Sequence, residues 1–587
     1  MAELRLLKTI SVLVAILALF LLFSSRATAD YHYASHQGSN EYPYTDWQTG
    51  AWLIQDAIDA ASPGDTIFIN SGNWHESITL SSDDDSLLSL IGVGMDLTRI
   101  YWDGHHQAVV YPGGDKTFFE GIHFDNTNNW PCLYAYYGHE GGLEISDCRL
   151  TGYQGIFTWK KVLRIHNCII ENITESGIEL YNSEFLEVEN CLFNNIGWDA
   201  VGMESPYRTG SIKNNIFKNC NGFAADFGRC DSSIFSNNLV LNSSGARGGG
   251  SSYSIALNNT IIVNQNSHFD YGFQYLGKGL YVNNIICKAF IAFDMNYESD
   301  TTIIHYNNLW QNVYNFNHIY GQVDTAFNVY QYPMFISNDD FHLQAYSPLI
   351  DAGDPGIFDV DGSRSDIGCY GGPGGENYEY VDLPPLIPDS LNGIFDGEAF
   401  SIVWRYNFES DFNRYLVNRD TIQGFEPIEI NIIAEPETSS FVDFNIDEVH
   451  NYYYRIAAID NQGNQSGYSD ELSFIQTEIK NETGSELPQI TSIRGNYPNP
   501  FNSQTVIFYS VADLGPIPAQ INIEIYDVLG RKVRDLVHER KRVGIHKATW
   551  DGKSDSGDLC PSGVYFARIR QWGADILSKP QKLVLLK

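Results

Sequence analysis

Glu204 in the stretch AVGME and Asp226 in FAAD stand 22 residues apart, and each is followed within four residues by an arginine, Arg208 and Arg229. Two carboxylates set side by side repel, so one must hold a proton or both must share a cation. In the first arrangement the pair could hydrolyse a glycosidic bond as acid and base. In the second, calcium could neutralise a uronate carboxylate while Arg or Lys takes the C5 proton, giving β-elimination. Steps of 23 and 22 residues lead back from Glu204 to Tyr181 in GIELY and to Trp159 in GIFTW. Such rings offer flat faces to sugars, with Lys160 and Glu179 as polar neighbours. Asp199, Arg247, His268 and Asp270 lie within reach of the same column. Read without chemistry, these are solvated acids and aromatics that only support stacking. A second candidate is DVDGSRSDIG, with Asp359, Asp361 and Asp366. Asp-x-Asp-Gly looks like the start of a calcium loop, but the later bidentate Glu is absent, so the alternative is a structural turn.

Side chains two dozen residues apart act together only if the chain returns on itself at that interval. A short phrase shows that it does. Cys148 sits in ISDCRLTG, Cys168 in IHNCIIEN and Cys191 in VENCLFNN. Asn215, Asn238, Asn259, Asn284 and Asn308 continue the series, in steps of 20 to 25 residues. A period of that length is a solenoid signature. Within each unit apolar residues alternate, as in Leu163-x-Ile165, which is strand rather than helix periodicity. Short strands broken by Asn and Gly fit a parallel β-helix, whose coils stack about 4.8 Å apart. The Cys and Asn residues then form one inward column, Cys as a small apolar residue and Asn as a ladder former. Before the repeat, the spacing predicts a helix over 51–61 that caps the open end of the solenoid, then a strand over 66–70.

Composition narrows the partners. Acidic residues outnumber basic ones 72 to 36, a formal charge of −36, which disfavours nucleic acid and anionic membranes. Divalent cations and neutral sugars suit such a surface better. Nine Cys at no framework spacing argue against a disulfide scaffold. Arg5 and Lys8, the apolar run 10–23 and Ala27-Thr28-Ala29 predict a signal peptide over 1–29. No later stretch is long and apolar enough to span a bilayer, so the mature chain is expected to have no transmembrane segment.

Asp65 after Pro-Gly, the N-N-apolar coils and the ending SPLIDAGDP…DVDGSRSDIGCYGG resemble the secreted right-handed parallel β-helix proteins, the superfamily of the pectate lyases. No motif of the characterised lyases is recognisable as a unit. Trp404, Tyr415, NYYYRIAAID and NQGNQSGYS follow a Pro/Gly linker and resemble a fibronectin type III domain. Tyr497, Pro498, Asn499, Pro500 and Phe501, then Tyr526, Asp527, Gly530 and Arg531, then Trp550, Asp551 and Gly552, resemble the C-terminal sorting domain of the type IX secretion system of Bacteroidetes and relatives. That resemblance implies passage through the periplasm and across the outer membrane by the type IX machinery, to release or attachment at the surface.

The expectation is an all-β chain: a right-handed parallel β-helix followed by two β-sandwiches. Its parts are a signal peptide (1–29), a β-helix with cap (30–372), a linker (373–385), a fibronectin type III-like sandwich (386–478), a linker (479–494) and a sorting domain (495–587). The leading functional reading is a secreted surface protein that binds extracellular polysaccharide. The alternative is a polysaccharide lyase or glycoside hydrolase, with calcium as the only cofactor considered.

Overall fold

The computed structural model describes residues 30–586 apart from 81–86, 105–107, 112–115, 136–140, 182, 205–208, 229, 249–252, 264–269, 276–277, 296–298, 319–320, 396–398, 448, 476–490, 498, 500, 513–518, 543 and 572–579. The expected signal peptide lies outside the described residues. The chain divides into two compact units, residues 1–383 with 408–411, and 384–407 with 412–587.

The first unit is a coil of three parallel sheets. Sheet 1 has thirteen strands, from Tyr31–Ala34 through Val162–His166 to Gly321–Asp324. Sheet 2 runs from Gly72–His75 through Ile169–Ile173 to Asn308–Trp310, and sheet 3 from Ile78–Thr79 through Ile178–Tyr181 to Tyr314–Asn317. Strands His123–Ala135 and Arg149–Thr158 pass through the corner and serve both sheets 2 and 3. Inward residues alternate with outward ones, so Ile145, Ile165, Val188, Ile212 and Phe235 stack in register inside the coil. Their partner column shrinks from Leu186 to Gly210, and a Cβ at Gly210 would stand 3.0 Å from the Phe227 ring. Large residues thus take the room that small ones leave, which keeps the interior at native packing density.

The repeated phrase marks the corner between sheets 1 and 2. Asp147, Asn167, Asn190, Asn214, Asn237, Asn258 and Asn283 all have positive φ, a region that Asn and Asp tolerate better than most residues. Each precedes a column residue. Cys168 donates its main-chain N–H to Cys191 Sγ, and Cys191 donates its own to Asn215 Oδ1 at 2.8 Å. From Asn215 onward each side-chain amide also donates to the next Asn, through Asn238, Asn259 and Asn284. The next rung is Asn307, not the expected Asn308, and the column ends at Asn328. Asn308 instead pairs beside Ile285 in sheet 2. The phrase slides by one there because Tyr306 takes the left-handed position that Asn fills in earlier coils.

The N-terminal cap is a helix of seven residues, Ile54–Ala60, shorter than the expected 51–61 because Leu53 and Ala61 are extended. Ile54, Ala57 and Ile58 are buried. Glu76 accepts the N–H groups of Ile54 and Gln55, which replaces a local N-cap. At the far end, residues 351–372 return along the sheet 1–sheet 2 corner. Asn237 donates to the carbonyls of Cys369 and Gly371, Asn258 to that of Asp366, and Asn283 accepts from Asp354 N–H. The outward, left-handed Asn of three successive coils therefore hold one strap.

The second unit contains two antiparallel domains. In the first, strands Asn392–Phe395, Phe400–Val403 and Ser440–Asp443 face a four-stranded sheet built on Phe412–Asp420 and Tyr452–Asp460. Trp404, Tyr415 and Tyr454 are buried between them. In the second domain, Phe501 and Tyr565 pack against the buried Trp550 at 5.4 and 5.1 Å. Asp527 closes the turn by accepting from Leu529 and Arg531, with Gly530 at φ 76°. Asn499 pairs with both main-chain groups flanking Leu583, through Lys582 O and Val584 N. The motif residues thus build turns and core; Pro498 and Pro500 lie outside the described residues.

Candidate functional site: the outer face of sheet 3

Register decides which outward side chains of sheet 3 are neighbours. One column runs Thr79–Tyr111 at the first rungs, then Tyr134–Phe157–Glu179–Gly202–Asp226–Arg247–Gln274–Asp294–Asn317. A second, two residues further along each strand, contains Tyr181 and Glu204. Trp159 joins it, stacked on Tyr181 at 5.2 Å and 25°.

The expected single column Trp159–Tyr181–Glu204–Asp226 is therefore split. Asp226 stands beside Gly202, because the coil between them takes 24 residues rather than the 22 that the spacing assumed. Glu204 lies in the strand Val201–Glu204, but its side chain is outside the described residues, as are Arg208, Arg229 and His268. Lys160 is only 3 % exposed, so it is no surface contact for a ligand; it alternates inward between its outward neighbours.

The N-terminal half of this face is aromatic. Tyr134 stacks on Phe157 at 5.5 Å and 13°, Phe157 meets Tyr181 at 5.3 Å, and Trp130 and Tyr111 stand edge-on to Tyr134. These rings are half-buried, with one face toward the next rung. Glu179 accepts from Gln154 and from the Tyr181 hydroxyl, both at 2.6 Å, which fixes its carboxylate among the rings. Trp159, Tyr181 and Glu179 are thus brought together as the sequence reading requires. It missed Trp130, Tyr134 and Phe157, which lie within the strands His123–Ala135 and Arg149–Thr158.

The C-terminal half is charged. Arg247 pairs with Asp226 and lies 3.8 Å from Asp199 Oδ2, with its guanidinium 4.9 Å above the Phe223 ring. Asp199 comes from the corner before sheet 3 and accepts the Phe223 N–H at 2.7 Å. Gly222 permits this approach, since a Cβ there would stand 2.3 Å from Asp199 Oδ1. Burial pushes the Asp199 carboxyl above its ordinary range, and Asp226 adds to the effect. Arg247 is held more firmly protonated by its hydrogen bond to Asp226. Further along, the buried Asp294 accepts from His318 at 2.9 Å.

The aspartates of the strap are arranged differently. Asp359 accepts the main-chain N–H groups of Asp366 and Gly372, Asp361 the main-chain N–H and hydroxyl of Ser363, and Asp366 the main-chain N–H of Asp351 and the Tyr380 hydroxyl. Their ligand atoms do not gather within 4.8 Å of one another, so the turn reading fits better than the calcium loop. Burial raises the Asp366 carboxyl to about 6.

Residues 68–204 and 155–331 match the family described as "Right handed beta helix region", and residues 496–584 match "Secretion system C-terminal sorting domain". A Fn3-like protein from Clostridium thermocellum is 24% identical over 16% of this chain and 92% of that one, with a TM-score of 0.14. Dimeric latent PorU from Porphyromonas gingivalis is 16% identical over 35% of this chain and 20% of that one, with a TM-score of 0.20. Among curated proteins, "Defective in cullin neddylation protein 1" of Candida albicans is 26% identical over 136 residues, 21% of this chain. The chain spans 44% of that relative's length. Likenesses at these scores carry no activity with them.

Proposed function

Given a chain that joins a right-handed β-helix to a fibronectin type III-like domain and a type IX sorting domain, and is thereby exported to the cell surface or the extracellular space, we propose that the outer face of sheet 3 binds polysaccharide. The observation that carries this reading is the patch of rings on three successive rungs, Tyr134, then Phe157 and Trp159, then Tyr181, with 5.2 to 5.5 Å between rings of neighbouring rungs. That repeat is comparable to one hexose residue; the rings stack on one another, so their outer edges form an apolar strip for the C–H surface of a sugar while its hydroxyls stay at polar edges. Glu179, Gln154 and the Tyr181 hydroxyl supply such edges. The cations described nearby are engaged, Arg247 by Asp226 and Asp199, and Lys161 by Glu184 at 3.6 Å. A neutral chain suits this face better than a polyuronate.

Affinity electrophoresis of the mature chain through gels holding neutral and uronate polymers tests the reading. Trp159→Ala should cut retention by about 5- to 10-fold, the worth of one stacked ring. Equal mobility of the two proteins in every gel that retards the wild type would sink it.

A second reading rests on Asp199. A carboxyl raised by burial beside a second one, Asp226, that pairs with Arg247 is the arrangement of a general acid next to its partner. On that reading the face hydrolyses the glycan it holds. A calcium-assisted elimination would require Asp226 to exchange Arg247 for the ion. New reducing ends, or an unsaturated product absorbing in the ultraviolet, separate these from binding alone.

A further inference from the structure

The head of sheet 3 opens into a cleft of about 660 Å³ whose lining includes Leu53, Gln55, His75, Thr79, Trp102 and Tyr111. We infer that this cleft is an end subsite, which holds the terminal ring of a neutral saccharide whose following rings lie along sheet 3. The inference rests on the polysaccharide reading above and adds where the chain starts.

Continuity comes from register. Tyr111 stands on the rung after Thr79, and its ring is 6.0 Å from that of Tyr134. The cleft and the aromatic run are therefore one surface. Closure comes from the cap. Gln55 donates to Thr79 O at 3.1 Å and accepts Thr79 N–H at 2.9 Å, so its amide occupies the place of a preceding strand. Leu53, beside it, forms the wall. A glycan lying along sheet 3 meets this wall and can proceed no further.

The chemistry of the lining selects a neutral ring. His75 stacks over Tyr101 at 4.8 Å and over Trp102 at 5.2 Å, which makes an aromatic flank. Its Nε2 is 2.7 Å from Asp103, and the Glu76 carboxylate is taken up by the Ile54 and Gln55 N–H groups. His75 and Asp103 thus serve each other, and Glu76 is satisfied by main-chain N–H groups rather than held out for a ligand. A cleft of this size, with ring walls and a few fixed amide and hydroxyl groups, is typical of small-molecule sites.

A site for chain ends saturates with the number of ends, whereas a site for chain interiors saturates with mass. The full mature chain is titrated on glucan, xylan and mannan at fixed mass, before and after partial hydrolysis that doubles the ends. Binding capacity should rise about two-fold on the retained polymer. Trp102→Ala and the milder Leu53→Arg, at a half-exposed position, should each abolish that rise and weaken binding of short linear oligosaccharides about ten-fold, a loss of about 1.4 kcal/mol. Capacity that follows mass alone, or either correctly folded variant behaving as wild type while Trp159→Ala loses retention, overturns the end subsite and leaves the sheet 3 reading standing. Failure of the wild type to bind any of the polymers overturns both.

Discussion

The side-chain amide of Asn238 donates to Asn259 Oδ1 at 3.1 Å, and the main-chain N–H of Asn238 reaches the same oxygen at 3.0 Å. One buried oxygen thus closes both the side-chain ladder and the backbone of the corner, and the arrangement recurs at Asn215, Asn259 and Asn284.

Asn238→Ala should therefore be costly. It leaves Asn215 N–H and the Ile212 carbonyl buried without their partner. At about 1–3 kcal/mol for each such group, the solenoid should lose about 3 kcal/mol or more. Asn195→Gly removes an exposed bond to Asn172 while keeping the left-handed backbone at φ 59°, and should cost under about 1 kcal/mol. Chemical denaturation followed on the solenoid transition compares the two; equal effects would contradict the ladder as a source of stability.

Asp366 makes the strap sensitive to pH. Its folded carboxyl is raised to about 6. Between the unfolded value near 4 and about 6, the folded chain holds a proton that the unfolded chain has lost, so stability falls as pH rises through that window. The contribution is on the order of 3 kcal/mol. Melting curves from pH 4.5 to 7.5 should show this slope in the wild type and a flatter one in Asp366→Asn.

Arg247→Met should leave Asp199 and Asp226 facing each other without their shared cation. Because Arg247 is 34 % exposed on its side chain, solvent moderates the loss to about 1 kcal/mol at neutral pH. Asp199 should then titrate higher still, and acidification should recover the loss. Carboxyl NMR titration of the two proteins reads this directly.

Calcium and chelator should leave the melting temperature of the solenoid unchanged, since the strap aspartates already accept main-chain N–H groups. A rise of several degrees with calcium would reveal a site that rearranges on binding.

Removal of residues 495–587 should abolish surface delivery in a host with the type IX pathway and leave the chain in the periplasm, as fractionation would show.

The coil was legible because two adjacent positions recur in each winding: an Asn or Asp where the backbone turns left-handed, then a Cys or Asn whose side chain turns inward. Cys168, Cys191 and Asn215 could be placed from spacing alone. Spacing failed wherever a corner changed length. Asp226 moved two residues relative to Glu204, and Asn308 yielded its place to Asn307 once Tyr306 had replaced the preceding Asn. The paired charge of Arg247 and Asp199 depends on a close approach at Gly222 that no periodicity announces. The rings of Trp130 and Tyr134 sit in a thirteen-residue strand without the repeated phrase, so nothing aligned them with Phe157. The strap was least legible of all, since its bonds join residues 71 to 134 positions apart.

That strap has a bearing on how such a molecule can change over generations. Solenoids ordinarily lengthen or shorten by duplicating a winding, and neighbours accommodate the newcomer. Here Asn237, Asn258 and Asn283 grip a single returning segment at fixed heights. An additional winding between them would pull the grips out of step, so growth is expected only toward the cap side of Asn237, and the number of windings behind the strap is kept as if by a gauge.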